Sequence, residues 1–246
     1  MSFTGGGGKT SLLFHLAHQL ARSGKRVLTT TTTKILVPTP DQSRTVLIDS
    51  DPEAILQQAF CGHHAANHIT VAAHNLGNGK LQGFAPEDIR IFQESGLFDW
   101  ILVEADGAAR RPLKAPAGHE PVIFADTSIL VSVAGLEVLG EPLSEELVFR
   151  SALAGKLMGL VIGETITELA LARLIAHPLG SFKGAPLHAR RFIFLNKADS
   201  HERHDCGARV AEYIRQIEPS VAEALIVCQV LDGVVVHAVH PLMVRA

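Results

Sequence analysis

Thr4-Gly5-Gly6-Gly7-Gly8-Lys9-Thr10-Ser11 is the stretch that decides the fold, and it leads directly into the apolar residues Leu12-Leu13-Phe14. Consecutive glycines let a backbone curl so that its N–H groups point inward, which is how a loop holds phosphate oxygens. A helix that begins at the end of such a loop adds unpaired N–H donors and the positive end of its dipole. Lys9 is long enough to reach the β- and γ-phosphates of a nucleotide, and the Thr10 hydroxyl is a ligand for Mg²⁺. The stretch therefore predicts a P-loop, with residues 5–11 in contact with the nucleotide.

The motif departs from the usual pattern, G-x-x-x-x-G-K-[ST], at its first position. Phe3 stands where the first glycine is expected, and glycines fill positions 5–7 instead. Only three residues precede the loop, so the strand expected there is either very short or begins outside this sequence. A flexible glycine-rich linker is the alternative, but a linker does not predict Lys-Thr followed by a helical pattern.

Length and composition favour one globular domain over residues 1–246. Of the 246 residues, 47% are hydrophobic and 19% are charged, which excludes a disordered chain. The net charge of -3 gives no electrostatic footprint for nucleic acid.

Targeting signals and cysteine usage favour a cytoplasmic protein. The N-terminus has no basic start followed by an apolar run, so no secretion signal is expected. The longest apolar stretch, 222–244, is interrupted by Asp232 and Pro241 and predicts two strands rather than a membrane span. Three scattered cysteines form neither a disulfide framework nor a cysteine-based zinc site. These are Cys61, Cys206 and Cys228.

Hydrophobic periodicity predicts strands alternating with helices. Residues 10–23 have helical spacing, and residues 26–30 predict the strand after them. Further strands are expected at 44–49, 69–73, before Glu104, and at 127–134, 190–195, 225–230 and 234–239. Further helices are expected at 51–60, 86–95, most of 142–176, and 203–217. The alternation predicts an α/β fold, a P-loop NTPase-like three-layer sandwich with a mainly parallel sheet flanked by helices.

Five consecutive threonines, residues 29–33, precede Lys34 at the end of the second predicted strand. The carboxyl ends of strands in an open α/β sheet face the ligand crevice, so Thr32 and Lys34 are candidates for contact with substrate, phosphate or Mg²⁺. The alternative is that β-branched residues simply complete a strand.

Histidines cluster around residues 63–74, as His63, His64, His68 and His74. Such side chains bind metals, but their spacing matches no known zinc pattern. A solvated loop is the favoured interpretation, and metal binding is the alternative.

The apolar run before Glu104-Ala105-Asp106 predicts a buried parallel strand that delivers carboxylates to the crevice. A P-loop NTPase needs an acid here to hold the Mg²⁺ shell opposite the hydroxyl of the loop. Glu104 and Asp106 are both candidates as metal-binding and catalytic residues alongside Lys9, and the sequence does not divide their roles.

Arg110, Arg111 and Lys114 follow these acids and are candidates for gripping a phosphate or an anionic substrate. A solvated basic loop is an equally good interpretation of the three cations.

Asn196-Lys197-Ala198-Asp199 follows a hydrophobic strand, and N-K-x-D in that position is how many P-loop GTPases recognise guanine. The Asp199 carboxylate can accept hydrogen bonds from the ring N1–H and the exocyclic amine, which adenine does not offer together. Asn196 and the stem of Lys197 help to hold the base. A polar turn capped by Asp199 or Ser200 is the alternative.

Together these motifs resemble the selenium-dependent hydroxylase accessory proteins of the YqeC type. The resemblance rests on residues 5–11, the threonine run, residues 103–107, the block Pro112 to Pro121 and residues 196–199. It implies a P-loop NTPase that helps a molybdenum hydroxylase carrying labile selenium to mature. More distantly, the chain looks like P-loop GTPases that serve metal-centre assembly, which often act as dimers.

Taken together, the motifs predict a protein that binds Mg²⁺ with GTP or ATP and favours GTP, and hydrolysis of the nucleotide is the accompanying hypothesis. A small-molecule kinase or nucleotide-coupled transferase, in which Arg110, Arg111 and Lys114 hold the acceptor, is an alternative. A nucleotide-binding scaffold without turnover is another. Many switch GTPases have a D-x-x-G glycine, and residue 109, three positions after Asp106, is an alanine. This departure argues against hydrolysis more than it argues against nucleotide binding.

Overall fold

The first strand, β1 (Ser2–Gly5), contributes residues to both of the compact units into which the chain divides. The computed structural model describes residues 1–61, 67–231 and 233–243. The first unit comprises Met1–Phe3, Thr10–Gly107 and Val122–Thr127. The second comprises Thr4–Lys9, Ala108–Pro121 and the chain from Ser128 onward. The expected single nucleotide-binding domain stays a prediction.

A parallel sheet with the strand order β1-β8-β2-β5-β4 organises the first unit. A small antiparallel sheet, β3-β7-β6, adds to it. The strands are β2 (Val27–Thr31), β3 (Lys34–Leu36), β4 (Val46–Ile48), β5 (His68–Ala72), β6 (His74–Asn75), β7 (Lys80–Gln82) and β8 (Trp100–Glu104). The helices are α1 (Lys9–Arg22), α2 (Pro52–Cys61) and α3 (Pro86–Glu94).

All five residues of β2 are buried because parallel neighbours pair with it on both sides. Buried hydroxyls need partners, and the threonines find them within the sheet. The Thr30 hydroxyl donates to the Val71 carbonyl at 3.0 Å, and that of Thr31 donates to the Glu104 carbonyl at 2.7 Å. The Thr32 hydroxyl donates to the Val122 carbonyl at 2.7 Å. Lys34 is exposed on β3.

Helices α2 and α3 seal the core of the first unit with aliphatic and aromatic side chains. Phe84 and Phe92 pack edge to face with ring centroids 5.1 Å apart, a favoured aromatic arrangement. Ile55 of α2 and Ile89 of α3 are fully buried against the same cluster. This apolar packing supports the carboxyl end of β8, where the acids lie.

The sheet of the second unit has the order β1-β10-β12-β13-β14, with a separate parallel pair, β9 and β11. Strands β10, β12 and β13 are parallel, and β14 is antiparallel to β13. The strands are β9 (Leu113–Lys114), β10 (Ile129–Gly135), β11 (Val148–Phe149), β12 (Arg190–Asn196), β13 (Ala224–Val230) and β14 (Val234–Pro241). The helices are α4 (Ser151–Met158), α5 (Glu168–Ala176) and α6 (His201–Ile217).

These mainly parallel sheets, flanked by helices, confirm the predicted α/β fold. The prediction that most of 142–176 is helical is wrong, because only α4 and α5 are helices there. Gly159 ends α4 in a left-handed conformation with φ of 76°, where glycine carries no Cβ penalty. Ser200 caps α6, as one of the two predicted cap residues. None of the helices in the described ranges is both long and apolar enough to cross a bilayer.

His68 is buried in β5 rather than solvated in a loop. One of its ring nitrogens lies 3.0 Å from the Thr29 hydroxyl, and its ring contacts Phe14 and His18. Burial, followed by the charge of His18, lowers the pKa of His68 from its ordinary value of 6.5 to about 4. His63 and His64 lie outside the described residues, so the metal alternative for this cluster stays untested.

We expect the free energy of unfolding to fall by about 3 kcal/mol as the pH drops from about 6.5 to about 4, from His68 alone. The unfolded chain takes up a proton at a higher pH than the folded chain, so acid favours unfolding. His68→Gln should flatten this slope in denaturant titrations. The exposed His74→Gln is the control, and an equal slope in all three proteins would contradict the expectation.

Candidate functional site

Residues 5–8, here called the glycine loop, pack backbone against backbone in the second unit. Gly5 and Gly7 have φ of 94° and 73°, in the left-handed region that glycine favours. A Cβ on Gly5 would overlap the Val133 carbonyl. A Cβ on Gly7 would lie 2.7 Å from the Pro112 carbonyl oxygen. The loop therefore requires glycine for close approach as well as for curvature.

Two N–H groups of the glycine loop are used by the protein itself. Gly6 N–H donates to the Val133 carbonyl at 2.9 Å, and Gly7 N–H donates to the Arg111 carbonyl at 3.1 Å. This differs from the expectation that successive loop N–H groups all point at phosphate. Donors for phosphate are therefore expected from the start of α1 rather than from Gly6 and Gly7.

Lys9, the first residue of α1, folds back over the loop that precedes it. Its side chain is buried, and its ammonium donates to the Gly5 carbonyl at 2.6 Å. The charge therefore lies directly over the glycine loop, where a P-loop lysine contacts phosphate.

Asn196 ties the glycine loop to the ends of two strands. It is 2% exposed at the end of β12. Its amide nitrogen donates to the Gly7 carbonyl at 2.7 Å, and its amide oxygen accepts from Val230 N–H at 2.9 Å. Asn196 thus acts as a structural bridge that holds the N-K-x-D segment beside the loop.

Lys197 and Asp199 are both held by ion pairs. Lys197 has a left-handed backbone, with φ of 63°, and its ammonium lies 2.9 Å from a carboxylate oxygen of Glu137. Asp199 pairs with Arg203, one turn along α6. The Asp199 side chain is 48% exposed, so this pair is worth at most about 1 kcal/mol and is easily replaced.

We expect Asn196→Ala to lower the free energy of unfolding by about 2 to 3 kcal/mol, because it leaves the Gly7 carbonyl and Val230 N–H without partners. Asn196→Asp should cost at least as much, since it faces a carboxylate oxygen towards the Gly7 carbonyl. Denaturant unfolding measures both, with Asn75→Ala as an exposed control. A cost near zero for both variants would show that Asn196 is not a bridge.

In the first unit, the Thr10 hydroxyl donates to a carboxylate oxygen of Glu104 at 2.6 Å. Glu104 ends β8, in register with Phe3 on one side and Thr31 on the other. Asp106, also buried, lies two residues beyond the end of the strand. The strand therefore does not continue far enough to give both acids one strand face.

A hydroxyl and a carboxylate in contact are oxygen ligands of the kind Mg²⁺ prefers. The oxygen atoms of Thr10 and Glu104 therefore fit the cation, and Asp106 follows Glu104 by two residues. Among the described residues, no group of three or more His, Cys, Asp or Glu side chains forms another metal site. The three cysteines are free thiols.

The basic segment, residues 110–114, follows these acids in sequence, and two of its three cations are bonded to other parts of the protein. The Lys114 side chain is 1% exposed, and its ammonium lies 2.7 Å from the Glu120 carboxylate. Arg150 lies 2.5 Å from the same carboxylate oxygen. The Arg111 guanidinium donates to the Glu145 carbonyl, and Arg110 is exposed. Burial would raise the pKa of Glu120, but hydrogen bonds from Arg150 and Lys114 lower it to about 2.

We expect Glu120→Ala to destabilise the protein by about 3 kcal/mol or more, because Lys114 loses a carboxylate while it stays buried. The double variant Lys114→Met, Glu120→Leu should recover most of that loss, since it removes the fully buried cation together with its carboxylate and leaves only Arg150, whose side chain is 24% exposed. Thermal and denaturant unfolding of the three proteins measure this. A double variant no more stable than Glu120→Ala would contradict a buried ion pair as the cause.

Sequence reasoning missed the residues that anchor this segment from a distance. Arg150 and Phe149 lie more than thirty positions after Lys114, and Phe149 has three cations near its ring, at 4.4 to 5.7 Å from the centroid. Glu137 was also missed, because a single acid after an apolar strand carries no pattern. The excess of cations near Glu120 was the one available signal.

Comparisons with known proteins place the chain in a family. A family model described as YqeC protein matches residues 1–152. Over 223 residues the chain is 37% identical to the uncharacterized protein YqeC of Escherichia coli (strain K12), covering 88% of this chain and 82% of that protein.

Two solved structures are similar to the chain at low scores. The MinC:MinD cell division protein complex of Aquifex aeolicus gives a TM-score of 0.41 and 15% identity, covering 92% of this chain and 79% of that chain. Chloroplast FtsY from Physcomitrella patens gives a TM-score of 0.43 and 15% identity, covering 98% and 60%.

Proposed function

The chain belongs to the YqeC protein family, and we propose that it binds Mg²⁺ with a nucleotide and hydrolyses GTP in preference to ATP. One observation carries the proposal: Asn196 bonds at once to Gly7 of the glycine loop and to Val230 at the end of β13. That bridge fixes a base-recognition motif at the distance of one side chain from a phosphate-binding loop.

In this proposal the start of α1 and the Lys9 ammonium bind the β- and γ-phosphates. Thr10 follows Lys9 in the P-loop motif. Thr10 and Glu104 hold Mg²⁺, which neutralises phosphate charge when bound. In hydrolysis, water attacks the γ-phosphorus, the bond to the β-phosphate oxygen breaks, and GDP and inorganic phosphate leave. Asp106, buried near Glu104, is the candidate for positioning the water.

The guanine preference rests on Asp199. Its carboxylate accepts the ring N1–H and the exocyclic amine of guanine, whereas adenine offers an acceptor at N1. Asp199 is itself about half exposed and its partner, Arg203, about one third exposed, so guanine replaces a weak ion pair. Two charge-assisted hydrogen bonds to the base outweigh that loss.

The cellular role that we propose is the one that the family resemblance implies. The protein acts in the cytoplasm as an accessory factor in the maturation of a selenium-dependent molybdenum hydroxylase, and it does so as a homodimer, in keeping with the GTPases that it distantly resembles. Nucleotide turnover drives one step of that maturation. Turnover that rises when the client hydroxylase is added supports this role, and turnover unaffected by it speaks against the role.

We expect Asp199→Ala to lower affinity for GTP about tenfold or more while affinity for ATP changes little, because only guanine loses two hydrogen bonds. Calorimetric titration with each nucleotide, with and without Mg²⁺, measures this. Thr10→Ala should instead reduce the gain in affinity that Mg²⁺ gives for both nucleotides.

Equal affinity of the wild type for GTP and ATP would sink the guanine preference and leave the phosphate site intact. Asp205→Ala, which removes an exposed carboxylate from α6 itself, is a control for Asp199→Ala. Assays of the same titration mixtures for released phosphate distinguish an NTP hydrolase from a kinase and from a scaffold without turnover. Transfer to a small molecule indicates a kinase, and tight binding without turnover indicates a scaffold. The burial of Lys114 speaks against the kinase, since that cation is not available to an acceptor.

A further inference from the structure

Glu137 is a charged residue near the glycine loop to which the proposed function gives no role. It lies in the short 3-10 turn Leu136–Val138, directly after β10. One of its carboxylate oxygens, Oε1, forms the 2.9 Å ion pair with Lys197. The other, Oε2, is buried and accepts no hydrogen bond from the described residues.

The carboxylate lies over Gly135, and Gly135 lies against the glycine loop. A Cβ on Gly135 would approach the Glu137 carboxyl carbon to 2.7 Å, so a side chain there would displace the carboxylate from this position. The Cα of Gly135 is itself 2.8 Å from where a Cβ of Gly7 would lie. Gly135 thus lies between Glu137 and the glycine loop, and Lys197 of the N-K-x-D segment is the ion-pair partner of Glu137.

A buried carboxylate oxygen without a donor costs free energy, so its position calls for a partner. Phosphates cannot supply one, because they are anionic acceptors and a carboxylate repels them. The nucleoside part of a nucleotide does carry donors, namely the ribose hydroxyls and the N–H groups of the base. Lys197 neutralises the carboxylate through Oε1, which lets the acid stay close to an anionic ligand.

The Glu137 side chain as a whole is 21% exposed, so a turn of the carboxylate brings Oε2 to the surface. We propose that Glu137 determines nucleotide specificity by turning Oε2 towards the bound nucleoside and accepting a hydrogen bond from one of its O–H or N–H donors. This inference rests on the proposed function and adds a second base or ribose contact to Asp199. Oε1 holds Lys197 in its ion pair, and Oε2 accepts the hydrogen bond from the nucleoside.

The test compares Glu137→Gln with the wild type in titrations with GTP, 2′-deoxy-GTP, 3′-deoxy-GTP and ITP. In Glu137→Gln, Lys197 requires the amide oxygen as its acceptor, so the amide NH₂ faces the nucleoside and the acceptor is lost. GTP affinity should fall about tenfold or more. The one analogue that lacks the donor should bind both proteins equally, which tells ribose from base. The exposed Glu141→Gln is the matched control.

Two outcomes overturn the inference. If Glu137→Gln binds GTP and all three analogues as the wild type does, then Oε2 makes no contact. If affinity for all four falls equally and Lys197→Ala reproduces the fall, then Glu137 acts only through Lys197. Thermal unfolding of each variant checks that it is folded. Titration of the wild type with GTP comes first, because failure to bind there rejects the proposed function itself.

Discussion

Backbone contact at the glycine loop is the constraint on which the second unit depends. Gly7 N–H donates to the Arg111 carbonyl, and the Pro112 carbonyl accepts from Gly135 N–H at 2.9 Å. The loop, the basic segment and the end of β10 are therefore joined by main-chain hydrogen bonds that no side chain interrupts. A single Cβ at Gly5 or Gly7 would separate these backbones, since interiors pack without spare volume.

The path of the basic segment follows from that contact. With Arg111 and Pro112 held against the loop, Leu113 and Lys114 are placed to pair with β11. Lys114 is thereby buried and must be neutralised, which Glu120 does. Lys183 then fixes the residues around Glu120 by donating to the carbonyls of Gly118 and Glu120, each at 2.9 Å. A run of cations that looks suited to gripping an anion is thus largely used for internal bonding.

Local patterns predicted what local forces determine. The periodicity of α1, the cap at Ser200 and the apolar run before Glu104 each depend on neighbours in sequence, and the structure confirms all three. The threonine run was ambiguous because threonine suits both a buried strand, through its branched Cβ, and a ligand crevice, through its hydroxyl. The partners of Thr30 and Thr31 lie on strands about forty and seventy positions away, at Val71 and Glu104.

The failures of prediction share one physical cause, which is that the deciding partner is distant in sequence. No sequence pattern near Lys114 predicts that Arg150 shares its carboxylate partner, and none near Asn196 predicts its hydrogen bond to Gly7. The region 142–176 has the apolar content of a long helix, yet Gly159 and the capping of α4 by Glu145 divide it. Composition cannot show where such a helix stops, because a left-handed glycine costs little either within a loop or at a helix end.

The two ion pairs of the N-K-x-D segment differ in how replaceable they are. Asp199 lies just before α6 and Arg203 in its first turn, and water reaches both side chains, so their ion pair is screened and costs little to replace. Lys197 and Glu137 come from different strand ends, and Glu137 is wedged over Gly135 with one oxygen buried. Glu137 and Lys197 therefore form the less replaceable of the two pairs. Under the proposed function, a nucleotide would exchange partners at Asp199, which gives up Arg203, and at Lys9, whose ammonium now donates to the Gly5 carbonyl, while Lys197 keeps its pair with Oε1 of Glu137.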